Sequence, residues 1–358
     1  MTEEPFGGKN KRRKPRTLEI EMLRLWCTIA VCLHHLRYCS EALPYGGGYI
    51  AVDFFFMVSG FYLRQSYVHK KNAIGVFKFI KKRYIRLYKD YVIAFIIAFF
   101  INLFIFKINI SGSIFGYISE AFMLEIGNLE SGLRINPPDW YCGYLLFASA
   151  VIYVFQKNIK RWIGSFSLFL GTILYFLLAI NQRHLCIFPL REGVNEMAVL
   201  RAMAGLLIGI FIFELYKKNE LIEVPNVVLK TVFFGGIIWI SYMIFWDTAF
   251  SVTDYIVLPV FAILIYICQF IEISCLMKIN NTIWEVFSQL GYIAFLNHYV
   301  VVKMINYYNL FNYLDWKVVS LLYIFIIFVF SYLLLRIREL LEWTMKRCCM
   351  KHEIIDKI

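Results

Sequence analysis

The sequence predicts an all-α fold, a polytopic membrane helical bundle of about ten transmembrane helices. Three observations lead there. Sixty per cent of the 358 residues are hydrophobic, against about 45–50% in soluble domains, and the mean hydropathy is +0.63. Apolar runs long enough to cross a bilayer core, roughly 18 residues or more, recur along the whole chain and leave no room for a sizeable soluble domain. The basic residues sit in alternate loops, which is the pattern of membrane topology.

The apolar runs place the spans, in order, at 18–38, 48–67, 90–108, 138–156, 163–181, 197–215, 230–247, 254–275, 284–305 and 317–336. A basic tail, 1–17, precedes this 18–336 membrane domain, and a second tail, 337–358, follows it. The first span is the least apolar, because Glu19, Glu21, Arg24, His34 and His35 fall within it. Between the second and third spans, Arg64 to Asp90 is basic, with Val76, Phe77, Phe79, Ile80, Tyr84 and Leu87 at helical spacing. That pattern predicts an amphipathic helix on the membrane surface. The loop from about 109 to 137 holds four glycines and a proline and is expected to be ordered only in part. No internal repeat and no low-complexity tract is visible.

Charge orients the array. The segments 1–17, 64–90, 157–161, 216–230, 276–283 and 336–358 contain 28 of the 37 Lys and Arg residues, whereas the loops of the opposite face contain six. The positive-inside rule then puts both termini in the cytoplasm of a multi-pass cell-membrane protein. Segment 1–17 has no small-residue cleavage site after it, so it reads as a topology anchor and not as a cleavable signal. The net charge of +12 does not imply nucleic acid, because the cations form no single stripe. The nine cysteines are scattered, mostly inside apolar segments, and show no Cys-x-x-Cys spacing. The six histidines show neither His-x-x-x-His nor His-Glu-x-x-His spacing, so no metal is expected.

Ionisable groups inside spans are costly and are functional candidates by default. Arg24 and His35 are eleven residues apart, about three helical turns, and within about 20° of the same face; they are separated by roughly 16 Å along the axis. Glu21 is within pairing reach of Arg24. His34 points elsewhere and reads as a hydrogen-bonded core residue. Asp53 opens the second span. If the first two spans pack as a hairpin, it lies level with His35 and can raise the basicity of that imidazole and fix its tautomer. The other reading is a structural pair with Arg24 or Arg37. Ser59 and Gly60 suit close helix packing. Arg83 and Arg86 share a face and can fork two phosphate groups, although a basic group in that position also serves as an anionic-lipid contact.

In order and spacing these pieces resemble acyltransferase family 3, the membrane proteins that O-acetylate bacterial surface polysaccharides and related molecules. The resemblance runs from about residue 16 to 336. It is carried by Arg24 with His35 and by Ala51-Val52-Asp53-Phe54-Phe55-Phe56-Met57-Val58-Ser59-Gly60-Phe61. Arg83 and Arg86, Pro137-Pro138-Asp139-Trp140-Tyr141, Arg201 with Gly205 and Gly209, and Leu290 through His298 continue it. Glu21 stands where aspartate is commoner. Many members carry Trp-x-Leu-x-x-Glu where this chain reads Trp140-Tyr141-Cys142-Gly143-Tyr144 without the glutamate.

The resemblance implies an acyltransferase that moves an acyl group, most commonly acetyl, from cytoplasmic acyl-CoA to a hydroxyl. The acceptor is expected to be an extracytoplasmic carbohydrate or glycolipid. His35 is the expected general base, Asp53 its orienting partner and Arg24 the group that binds or polarises the donor. Arg83 and Arg86 are the expected CoA contacts, with Glu21, Ser59, Trp140 and His298 in support. The alternative class is a secondary transporter of a small anion, in which intramembrane Asp, Arg and His line a substrate path. Transporters commonly show repeated halves. Here most of the in-span charge lies in 19–53 instead.

Overall fold

The computed structural model describes residues 17–69, 74–107, 114–124, 135–159, 162–186, 194–218, 224–245, 251–273, 276 and 281–355. Eleven α-helices follow one another, with no strand among the described residues. They are α1 (Leu18–Leu36), α2 (Ala51–His69), α3 (Val76–Phe104), α4 (Ile114–Ala121), α5 (Trp140–Asn158) and α6 (Ile163–Gln182). The second half comprises α7 (Val194–Lys218), α8 (Asn226–Phe245), α9 (Val257–Ile267), α10 (Asn281–Tyr307) and α11 (Trp316–Ile355). Every predicted span has a helix at its position, and six of the helical stretches are long and apolar enough to cross a membrane on length and composition. α1 is not among those six, as Glu19, Glu21 and Arg24 lead one to expect, and neither are α5 and α10. The chain is an all-α membrane bundle.

Three expectations change. The basic stretch after the second span is not a separate surface helix. α3 runs unbroken from Val76 to Phe104, because Gly75 precedes it and neither Gly nor Pro interrupts it. Residues 70–73, which also belong to that stretch, lie outside the described residues. In the same way α11 continues through the expected C-terminal tail to Ile355, again without Gly or Pro. The eighth span is shorter than expected: a 3₁₀ segment, Val252–Ile256, leads into an eleven-residue α9. Of the loop at 109–137, expected to be ordered only in part, residues 114–124, which include α4, and 135–137 are described, and 109–113 and 125–134 lie outside the described residues.

Packing is closest between α2 and α7. A Cβ added at Gly60 would lie 2.0 Å from the Leu206 carbonyl oxygen, and one at Gly209 would lie 1.9 Å from that of Met57. Small residues at such crossings let backbones approach and gain van der Waals contact where lipid supplies no hydrophobic drive. α1 packs along α10, with Gly291 facing Leu25 and Thr28. α2, α3 and α5 close around that pair, and the space left among them is the principal cavity.

Candidate active site

The cavity is about 1740 Å³, and α1, α2, α3, α5, α10 and α11 wall it. Its lining is cationic: Arg24, Lys82, Arg83, Arg86, Lys89 and Arg338 contribute to it, against three carboxylates, Glu21, Asp90 and Glu342. Each carboxylate has a cation. Glu21 Oε1 accepts from Arg24 Nη1 at 3.3 Å, Asp90 from Arg338 at 2.7 Å and Glu342 from Lys89 at 2.9 Å. Arg83 Nε has no hydrogen-bond partner among the described residues. The wall therefore presents more positive than negative charge, a surface that suits a phosphorylated ligand. α3 produces it by the i, i+3 spacing of Arg83 and Arg86 on its first turns.

Thr28 of α1, Phe55 of α2, Tyr141 of α5 and Phe295 of α10 line the cavity as well. The Tyr141 hydroxyl is hydrogen-bonded to Ser59 and lies in the field of Arg24 and Arg83. One helical turn past Phe295 is His298, and seven residues past Thr28 is His35. The two imidazoles meet there, with His298 Nε2 3.1 Å from His35 Nδ1.

The hydrogen bonds around this pair fix its tautomers. His298 Nδ1 is 2.7 Å from the Phe295 carbonyl, and His35 Nδ1 is 3.0 Å from the Val31 carbonyl. A carbonyl oxygen only accepts, so both Nδ1 atoms carry hydrogen. In the neutral pair His298 Nε2 is therefore bare and accepts from His35 Nδ1–H. The unprotonated atom of His35 is then Nε2, the form a general base requires. Tyr38 and Tyr299 flank the His35 ring at 5.9 and 5.7 Å. The Lys303 ammonium lies 5.4 Å from the Tyr299 ring centre and donates to Asn102 and to the Ile135 carbonyl. His34 is buried, with Nδ1 3.3 Å from the Tyr45 carbonyl, and packs edge-on against Tyr49. That is the core role its direction on the helix predicts.

Asp53 does not orient His35, and its partner is neither Arg24 nor Arg37. Its carboxylate is fully buried and receives Arg201 Nη2 at 2.6 Å, Arg201 Nε at 3.1 Å and the Tyr175 hydroxyl at 2.9 Å. Arg201 Nη2 also donates to the Tyr49 carbonyl. The physical reason is the α2–α7 approach. Arg201, Gly205 and Gly209 recur every four residues on one face of α7, so the face that brings the glycines onto α2 also brings the guanidinium onto Asp53. That spacing was the available signal. A buried arginine in lipid needs a carboxylate, and Asp53 is the one at hand. The tautomer-fixing contact expected from Asp53 comes from the Val31 carbonyl instead, and His298 Nε2 shares the same Nδ1 hydrogen.

Of the other predicted site residues, Glu21, Arg24, Ser59, Arg83 and Arg86 line the cavity, whereas His35 and His298 lie outside its lining. Trp140 is not in the lining. It packs on Tyr144 and Phe56, and its neighbour Tyr141 reaches the cavity instead. Sequence reasoning named Tyr141 and Phe295 only as members of motifs and gave neither a role, because aromatic residues in an aromatic-rich chain carry no spacing signal of their own. Among the described residues no three His, Cys, Asp or Glu side chains converge as metal ligands.

A helical membrane bundle that joins a cationic cavity to a histidine pair is the setting of a membrane transferase. The chain belongs to the acyltransferase 3 family, whose acyltransferase domain matches residues 17–336, nearly its whole length. Neither a curated protein nor a solved structure gives a significant match.

Proposed function

We propose that this membrane acyltransferase takes an acyl group, acetyl by family resemblance, from cytoplasmic acyl-CoA. It passes that group to a hydroxyl of an extracytoplasmic carbohydrate or glycolipid. One observation carries the reading: the histidine pair begins one helical turn after Phe295, which lines the same cavity as Arg83 and Arg86. By the positive-inside pattern the arginine side faces the cytoplasm of a cell-membrane protein with both termini inside.

In this mechanism Arg83 and Arg86 hold the CoA phosphates and the pantetheine arm extends into the cavity toward Thr28. His35 Nε2 accepts the proton of the acceptor hydroxyl, and the oxygen attacks the thioester carbonyl. The tetrahedral intermediate collapses with cleavage of the C–S bond. The CoA thiolate leaves with the proton that His35 returns, and the ester stays on the acceptor. His298 accepts from His35 Nδ1–H throughout and holds the base in its working tautomer. Arg24 stays cationic and polarises the thioester or anchors the donor, with Glu21 fixing its position.

Mass spectrometry of surface glycans from cells with the intact gene, a deletion and a His35→Ala allele tests the reading. Ester-linked acetyl is expected only with the intact gene. Identical glycans and glycolipids in all three strains would refute transfer to an extracytoplasmic carbohydrate.

A further inference from the structure

The cavity and the histidine pair are separated by a layer of rings. Phe55, Tyr141 and Phe295 come from three different helices, yet each touches the other two, with ring centres 6.2, 6.0 and 5.4 Å apart. All three line the cavity. Contacts in this distance range are mutually attractive and hold rings in register. Phe295 has a second face: its ring centre is 6.0 Å from that of His298, and its carbonyl accepts from His298 Nδ1. Neither His35 nor His298 lines the cavity. A group entering along Arg24 and Ser59 therefore meets this aromatic layer before it meets the base.

We propose that Phe55, Tyr141 and Phe295 are the acyl-specificity determinant of the reaction, with Phe295 its principal member. This rests on the acyl-CoA reading above and names the element that decides which acyl group is transferred. The terminal part of the acyl group occupies the space at the three rings, so the carbonyl reaches His35 only when the chain beyond it is short. Each further methylene must displace a ring that is packed on both sides, and interiors at native density resist such insertion. Tyr141 is tethered through its hydroxyl at Ser59, and Phe295 by its contact with His298. Phe55, which is only partly buried, is the ring held by packing alone.

The test uses membrane vesicles from cells that make the full chain, with the native acceptor present. The vesicles are supplied with radiolabelled acetyl-CoA or butyryl-CoA, and incorporation into the acceptor fraction is counted. The wild type is expected to prefer acetyl. Phe295→Leu and Phe55→Leu, which remove ring volume and keep an apolar side chain, are expected to raise the butyryl-to-acetyl ratio by at least about tenfold. That is the lower end of what one or two methylenes cost in a fitted apolar site. Phe104→Leu, at an exposed position on α3, is expected to leave the ratio unchanged. Phe295→Leu guards against a variant that fails to fold, since its own acetyl transfer is the internal reference. An active wild type whose ratio is unmoved in both variants overturns this inference and leaves the acyl-CoA reading standing. Equal loss of both transfers at normal abundance in both variants also overturns it, and reduces the rings to support for His298. No incorporation from either thioester by the wild type overturns the acyl-CoA reading itself.

Discussion

Asp53 is the residue whose role changes most between sequence and structure, and the two roles predict different phenotypes. If it were an orienting partner of the base, Asp53→Leu would yield a well-folded, slow enzyme. In the structure its carboxylate instead neutralises Arg201, which is 1% exposed, through contacts of 2.6 and 3.1 Å. Removing one partner of a buried pair typically costs about 3–5 kcal/mol, because the other charge is left uncompensated. At about 1.4 kcal/mol per factor of ten, that is roughly two to four orders of magnitude in the folded-to-unfolded ratio. The loss of the Tyr175 hydrogen bond adds to it. Replacing both partners by apolar groups of similar volume is often close to neutral. Asp53→Leu is therefore expected to accumulate poorly in membranes and to show a lower thermal midpoint in detergent, read by size-exclusion after heating. The double variant Asp53→Leu with Arg201→Met is expected to recover most of that loss. The reasoning fails if Asp53→Leu matches wild type in abundance and midpoint, or if the double variant is no better than the single.

Three other outcomes follow from the site and the topology. His35→Ala is expected to lower acyl transfer by about 10²–10⁴-fold, the usual contribution of a positioned base, at unchanged abundance. His298→Ala falls between it and wild type, and His298→Gln, which keeps an acceptor for His35 Nδ1–H, retains more; full activity in His298→Ala would remove that contact from the mechanism. Arg83→Ala with Arg86→Ala is expected to weaken acyl-CoA binding, measured by titration into detergent-solubilised protein, without altering insertion. Lys at either position restores it only in part, because a point charge replaces a fork; unchanged affinity in the double variant would leave the pair as a topology anchor. Reporters placed near Gly7 and after Ile358 are expected in the cytoplasm and one near Gly127 outside, and termini found on opposite faces would overturn the span parity.

The helical class and the position of each predicted span were legible because hydropathy and helical period are local properties; the short α4, inside the stretch read as a loop, was not. Helix ends were less so: α3 and α11 extend past their apolar windows, since nothing in their sequences stops a helix when apolar residues give way to charged ones. The Arg24–His35 register was also legible: Arg24 lines the cavity and His35 meets His298 of α10. What local spacing could not supply was the partner on another element. The sequence offered Asp53 two arginines, Arg24 and Arg37, and only the α2–α7 packing, set by Gly60 and Gly209, brings Arg201 to it. His298, 263 residues from His35, entered the sequence reading through a motif alone, and its geometry came from the parallel packing of α1 and α10.

The glutamate that this chain lacks has a physical consequence at the same cavity. Counting from Trp140, the position of the missing carboxylate is Leu145, which is buried and lines the cavity. A glutamate there would place a fourth carboxylate on a wall where Glu21, Asp90 and Glu342 already have cations of their own. It would also face the region of Arg24 and Arg83, whose fields reach Tyr141 one turn earlier on α5. With leucine, this part of the cavity is apolar and its charge stays positive. Apolar walls lower the local dielectric and strengthen what the arginines offer an anion. The departure from the common motif therefore alters the cavity and leaves the histidine pair untouched. In the proposed mechanism, donor binding and proton transfer therefore fall to different residues on opposite sides of the Phe55–Tyr141–Phe295 layer.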